Sequence, residues 1–325
     1  MKKVLKCAVS ILLSLAIALT PESVAVKSHA AATVAEVKTI ADVPANLSGK
    51  TIILHSNDVH GAIGRYAYIA SVKQNFTKRG ADVILVDAGD FAQGTPYVSD
   101  SKGEDAIASM NAAGYDIITV GNHEFDYGVP QLKKMLTAGK FKVVCANIFD
   151  AGGNLLFAPN TVITTKSGLK LGFFGVNTPE TQTKSNPVLV KGLTFLSKSD
   201  LYACGQKQID DLKVKGVDLV VCLSHLGVDN EAKREGNSSD IFYDNTKGID
   251  ILIDGHSHTV MSAENASDPI TSTGTKLQTL GVVIIDNATK KVEDSYLLSL
   301  DNLQKEVVTD AVTTAIIKKI NQNMM

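Results

Sequence analysis

Five short loops of this chain carry Asp, Asn and His directly after an apolar run. Residues 51–56 lead into Asn57-Asp58-Val59-His60-Gly61, and residues 82–86 into Asp87-Ala88-Gly89-Asp90. Residues 116–120 lead into Gly121-Asn122-His123-Glu124, residues 218–223 into Ser224-His225-Leu226-Gly227, and residues 249–253 into Asp254-Gly255-His256-Ser257-His258. Imidazole, carboxylate and amide oxygen without thiolate suit Zn, Mn, Fe, Co or Mg rather than a sulfur-rich structural zinc site. Asp58, His60, Asp90, Asn122, His225, His256 and His258 are more donors than one ion takes. With a shared carboxylate they fill two sites. Two divalent ions about 3.5–4 Å apart acidify a water between them to a hydroxide nucleophile and stabilise charge on a phosphoryl group. For any one His, a hydrogen-bonded structural role is the commoner outcome. The chain has seven His, and the loops hold five of them, which favours a metal centre. His55 falls inside a strand and is read as structural. Asp87 either orients its loop or joins the ligands.

The loops are spaced by elements that alternate in type. Strands are expected at 51–56, 82–86, 116–120, 142–146, 169–176, 218–223 and 249–253, with a hairpin from 281–285 and 292–298. Helical periodicity occupies 66–76, 104–113, 129–138 and 199–215. Continuous apolar strands alternating with helices argue an α/β domain whose sheets are covered on both faces. The carboxyl ends of such strands are where ligands bind, and all five donor loops lie there. Residues 307–320 read as an amphipathic helix with Val308, Ala311, Val312, Ala315 and Ile316 on one side. It is either a linker towards a further domain or a terminal helix docked on the sheet.

The chain has 325 residues, 44% hydrophobic and 20% charged, which is enough for a sizeable core. Its net charge of -2 leaves no basic excess to neutralise a nucleic-acid backbone. Lys2, Lys3 and Lys6, an apolar run over residues 8–19, and Ser28-His29-Ala30 form a secretory signal peptide cleaved near Ala30, with Ala32 as the alternative site. An uncleaved anchor is the competing reading of this segment. Residues 31–50 follow as a leader, 51–300 as the catalytic domain and 301–325 as the terminal helix. The mature product is expected to be exported, whether extracellular, periplasmic or wall-associated, and to be monomeric and membrane-free. Cys145 and Cys222 sit in apolar runs as buried thiols, and the sequence does not decide whether one disulfide forms among Cys145, Cys204 and Cys222. Gly49-Lys50-Thr51 lacks the first glycine of a phosphate-binding loop, and no G-x-S-x-G elbow is present.

The ordered set of five loops resembles the calcineurin-like metallophosphoesterase superfamily. The surroundings of the first three, residues 53–61, 89–96 and 121–128, resemble more specifically its bacterial 5′-nucleotidase and 2′,3′-cyclic phosphodiesterase branch. The resemblance implies a four-layer αββα sandwich of two mixed sheets flanked by helices. It implies that Asp58, His60 and His258 hold one divalent ion, that Asn122, His225 and His256 hold a second, and that Asp90 bridges them. His123 becomes the catalytic histidine, stabilising the transferring group or protonating the leaving oxygen, and Asp126 orients it. Glu124 is structural. The expected substrate is a small nucleotide phosphoester, with no nucleic-acid polymer as partner. Members of this branch usually continue into a second domain that clamps the base between aromatic side chains, and the sequence ends at Met325 without it. A non-catalytic metal- or nucleotide-binding remnant, or the same metal chemistry on a sulfur ester, are the alternatives.

Overall fold

The computed structural model describes residues 37–263 and 268–323. The signal peptide read at residues 1–30 lies outside the described residues. Among those described, the strands in chain order are β1 (Val37–Lys38), β2 (Lys50–Ser56), β3 (Asp82–Asp87), β4 (Ile117–Ile118), β5 (Lys142–Val143), β6 (Ile148–Phe149), β7 (Asn160–Thr164) and β8 (Lys170–Asn177). They continue as β9 (Thr194–Phe195), β10 (Leu219–His225), β11 (Ile251–Ile253), β12 (Val260–Met261), β13 (Ile270–Thr273), β14 (Thr279–Asp286) and β15 (Lys291–Ser299). One sheet has the order β1-β15-β14-β2-β3-β4-β5 and the other β12-β13-β11-β10-β8-β7. β2 to β5 run parallel, and so do β8, β10, β11 and β13. β14 runs antiparallel to β2, and β7 to β8, so both sheets are mixed.

The two sheets pack face to face and each carries helices on its outer side, giving the expected four layers. Successive side chains of a strand point to opposite faces. In β2, Ile53 joins Ile84, Val86, Phe173, Val221 and Leu223 between the sheets, while Ile52 and Leu54 face the helix Tyr66–Lys78. In β10, Val221 and Leu223 face inward, and Val220 and Cys222 meet Leu201 and Ile209 of the helix Lys198–Val214. Both faces are apolar, which is why these strands read as unbroken hydrophobic runs.

Several expectations change in detail. The leader read at 31–50 contributes to the fold. Val37–Lys38 pairs with β15, and Ile40, Val43 and Leu47 are buried. Strands expected at 116–120 and 142–146 pair over two residues each, because their chains then leave the ladder for loops. The terminal segment is two helices, Leu300–Glu306 and Ala311–Asn323, rather than one over 307–320. Asp310 starts the second by accepting from Thr313 N at 2.7 Å. Thr313, Ile317 and Ile320 form its buried side, while Val308 and Val312, read as part of the apolar stripe, are exposed. Cys145, Cys204 and Cys222 are free thiols. No helix among the described residues is long and apolar enough to cross a membrane.

His55 is structural, as expected, and fully buried in β2. Its Nε2 lies 3.3 Å from Thr271 Oγ1, and its Nδ1 has no partner. Burial depresses its pKa from 6.5 to about 3. Below pH 6.5 the unfolded chain takes a proton that the folded chain refuses. The contribution of a neutral His55 is therefore complete above pH 6.5 and is lost as pH falls towards 3, by up to about 1.4 kcal/mol per pH unit. We expect the stability of the wild type relative to His55→Gln to shrink over that window in urea titrations. Parallel curves would contradict the assignment.

Candidate metal centre

The two parallel sheet halves deliver their carboxyl ends to one rim, and all seven sequence-predicted donors meet there. Ligand atoms of Asp58, His60 and His258 lie within 4.8 Å of one another, as do those of Asp90, His225 and His256. A third group, His60, Asp90 and His123, links the two. Asn122 Oδ1 is 2.8 Å from His256 Nδ1. His60 and His258 approach Nε2 to Nε2 at 2.9 Å, and both lie within 4 Å of Asp58 Oδ1. Asp126 Oδ2 is 2.7 Å from His123 Nδ1, with no group between them.

The backbone is bent to achieve this. Asp58, His60, Asp90, His256 and His258 have φ of 49°, 45°, 62°, 76° and 54°. Such left-handed conformations are uncommon outside glycine, although Asp and His accept them better than most residues. Hydrogen bonds fix the bends: Asp58 N donates to Gly89 O and His60 N to Asp90 O, both at 2.9 Å. Lys276 N and Thr275 Oγ1 both donate to Asp58 O. Glu124 is folded back as expected, accepting the amides of Asp90, Phe91, Ala92 and Gly121 at 2.6–2.9 Å. Asp87 resolves to an orienting role, accepting from Ser56 Oγ and Gly89 N. Ser185 Oγ holds Asn122 O at 2.9 Å.

His225 supplies the test of whether a cation belongs here. Its Nδ1 lies 2.6 Å from the carbonyl of Ala88, which can only accept, so Nδ1 carries the proton. Its buried Nε2 has no hydrogen-bond partner, yet lies 3.1 Å from Asp90 Oδ2. In the neutral ring this sets a bare lone pair against a carboxylate, a pairing that positive charge must relieve, whether a second proton on the ring or a cation beside it. The surrounding N and O donors, without thiolate, fit a divalent metal.

The ionisable groups show the same shortage of positive charge. Burial raises Asp58 to about 7. Burial also lowers His60 to about 4. It acts against His225 as well, but the carboxylates of Asp90 and Asp58 outweigh it and bring that imidazole to about 10. At His123, burial is outweighed by the Asp126 hydrogen bond and by Asp90, giving about 9. Burial and the Asp90 charge raise Glu124 to about 7, against four amide donors that favour the anion.

Sequence reasoning missed Glu180. It follows β8, a long parallel strand whose terminal loop carries the signal Asn177-Thr178-Pro179-Glu180. Its Oε2 lies 3.1 Å from His256 Nε2. That hydrogen bond keeps its carboxyl below the usual range despite burial.

Gly121 is small because the centre leaves no room. A Cβ there would overlap Asp90 Oδ1 and sit 2.6 Å from His225 Nε2. Gly121→Ala should retain native circular dichroism but lose at least tenfold in divalent-metal affinity, read by metal titration with elemental analysis. Unchanged affinity would show that this contact does not limit the site.

The sequence profile of calcineurin-like phosphoesterases matches residues 51–260. Over 246 residues the chain is 31% identical to a 5′-nucleotidase of Mus musculus, covering 68% of this chain and 40% of that protein. It is 30% identical over 239 residues to a 2′,3′-cyclic-nucleotide 2′-phosphodiesterase/3′-nucleotidase of Haemophilus influenzae, covering 63% and 36% respectively. The chain thus spans about two fifths of the length of these relatives. Its fold matches the calcineurin-like phosphoesterase YfkN of Bacillus subtilis with a TM-score of 0.70 and 23% identity, over 84% of this chain and 97% of that one. Every donor from Asp58 to His258 falls within the matched segment, at the rim where both sheets end, and the chain belongs to the calcineurin-like phosphoesterase family.

Proposed function

We propose that the protein is an exported, metal-dependent phosphoesterase that hydrolyses nucleotide phosphate esters with two divalent cations. Asp58, His60 and His258 would hold one cation, Asn122, His225 and His256 the other, and Asp90 both. The observation that carries this reading is the unpartnered Nε2 of His225 facing Asp90 Oδ2 at 3.1 Å, inside a ring of further N and O donors. When bound, the cations supply an acidified water as nucleophile and positive charge for the phosphoryl oxygens.

The chain's own groups do the rest. His123 stands at the open side of the donor ring, its amide donating to Asp90 Oδ1 at 2.8 Å. Asp126 accepts from its Nδ1, which leaves Nε2 to meet a phosphoryl or leaving-group oxygen. There His123 either hydrogen-bonds the transferring group or gives a proton to the departing oxygen. Nucleotides are the proposed substrates because the relatives carry nucleotidase and cyclic-nucleotide phosphodiesterase names. Export rests on the pattern of residues 1–30.

Protein stripped with EDTA should be inactive on mononucleotides, cyclic nucleotides and a chromogenic phosphoester, and should recover with Mn²⁺, Zn²⁺ or Co²⁺. Phosphate release is the direct measurement. Metal-loaded protein that turns over none of the three would refute the proposal. Asp90→Asn removes the shared charge and should lose most activity together with bound metal. Asp126→Asn should keep its metal yet lower kcat roughly 10–100-fold, as loss of an orienting carboxylate typically does.

A further inference from the structure

We propose that Glu180 is a positioning residue that fixes His256 with Nδ1 turned into the space shared by Asn122, Asp90 and His225. This rests on the reading that a divalent cation occupies that space. Glu180 lies just beyond the carboxyl end of β8 and immediately before the short helix Thr181–Lys184. Its side chain is 8% exposed. Oε2 lies 3.1 Å from His256 Nε2, and Oε1 is buried with no partner. The nearest cation, Lys184 Nζ, stands at 3.7 Å from Oε2 and is itself drawn to Glu231 at 2.9 Å. Glu180 is therefore a buried carboxylate whose close partner is one imidazole.

The tautomer follows from the partners. An ionised carboxylate only accepts, so Nε2 of His256 carries the proton and, in the neutral ring, Nδ1 carries the lone pair. Nδ1 lies 2.8 Å from the Asn122 side-chain amide. The atom it faces is Oδ1, through which Asn122 would itself serve as a ligand, so two lone pairs meet across a gap that suits a cation and Nδ1 is the donor atom offered to it. Carboxylates that hold the far nitrogen of a ligating histidine fix its ring orientation and raise its basicity.

Cobalt(II) titration of the apoprotein, followed by visible absorption and elemental analysis, tests this on wild type, Glu180→Ala and Glu180→Gln. Glu180→Ala should bind one ion as the wild type does and the other 10–100-fold more weakly, with the absorption band of the weakened ion shifted. Glu180→Gln, whose amide oxygen can still accept from Nε2, should fall between the two. Equal affinities in all three proteins would overturn the role, and so would loss of both ions in Glu180→Ala at an unchanged apoprotein melting temperature. If Glu180→Ala fails to fold, the near-isosteric Gln variant decides alone: a wild-type affinity there overturns the proposal. A wild type that takes up no cobalt would instead refute the metal-centre reading itself, a result distinct from any of these.

Discussion

Left-handed backbone at Asp58, His60, Asp90, His256 and His258 is the constraint on which the centre rests. Each such residue carries a penalty of about 1–2 kcal/mol, less for Asp and His than for bulkier residues. Together the five approach the order of a domain's net stability, about 5–15 kcal/mol. Free loops would relax out of these bends. Here each is tethered at its start by a strand buried on both faces, where each fully buried Val, Leu, Ile or Phe contributes about 1.5–3 kcal/mol. Ile52, Ile53, Leu54, Leu85, Val86, Val221 and Leu223 are all in that state. The apolar sandwich is thus what lets polar loops keep a shape they would not adopt alone.

Electrostatics supplies the second half of the same constraint. Asp58 and Asp90 are buried within reach of His60 and His225, and these two rings offset their desolvation only in part, since burial keeps His60 neutral. Glu124 adds a further buried carboxylate but spends it on backbone. By gathering the amides of Asp90, Phe91, Ala92 and Gly121, it ties the loop after β3 to the loop after β4. Asp90 and Asn122 are thereby carried as one unit. A divalent cation placed among these groups answers both the unpaired nitrogen of His225 and the surplus of buried carboxylate.

Much of this was legible in the sequence, for identifiable reasons. The parallel strands are apolar on both faces, so β2, β3, β8 and β10 stood out as unbroken runs. The helix Glu104–Ala113 was readable end to end because Gly114, at φ 80°, stops it where no side chain is easily held. The donor loops were visible because Asp, Asn and His are conspicuous after such runs. What stayed hidden depended on tertiary context. β7 and β13 are short, Thr-containing and paired at or near an edge. The register of the terminal helix was misread because Thr313, a polar residue, heads its buried side ahead of Ile317 and Ile320. Glu180 was invisible because its importance comes from an imidazole far along the chain.

Exposure divides the centre unevenly. His225 and Asp58 have fully buried side chains, whereas His258 is 46% exposed, His123 31% and Asp126 24%. The donors around His225 are closed off by the loops after β3 and β4 and by Glu180 behind His256. The open side is bounded by His123 and His258, whose rings both stack edge-on against His60, with centroids 5.3 and 4.9 Å away. On the proposed reading, a phosphoester that arrives across this edge brings its departing oxygen alongside His123. The residue free to meet that oxygen is therefore also the one whose opposite nitrogen is held by Asp126. On that reading the enclosed half would keep its cation in place, and the open half would admit and turn over the ester.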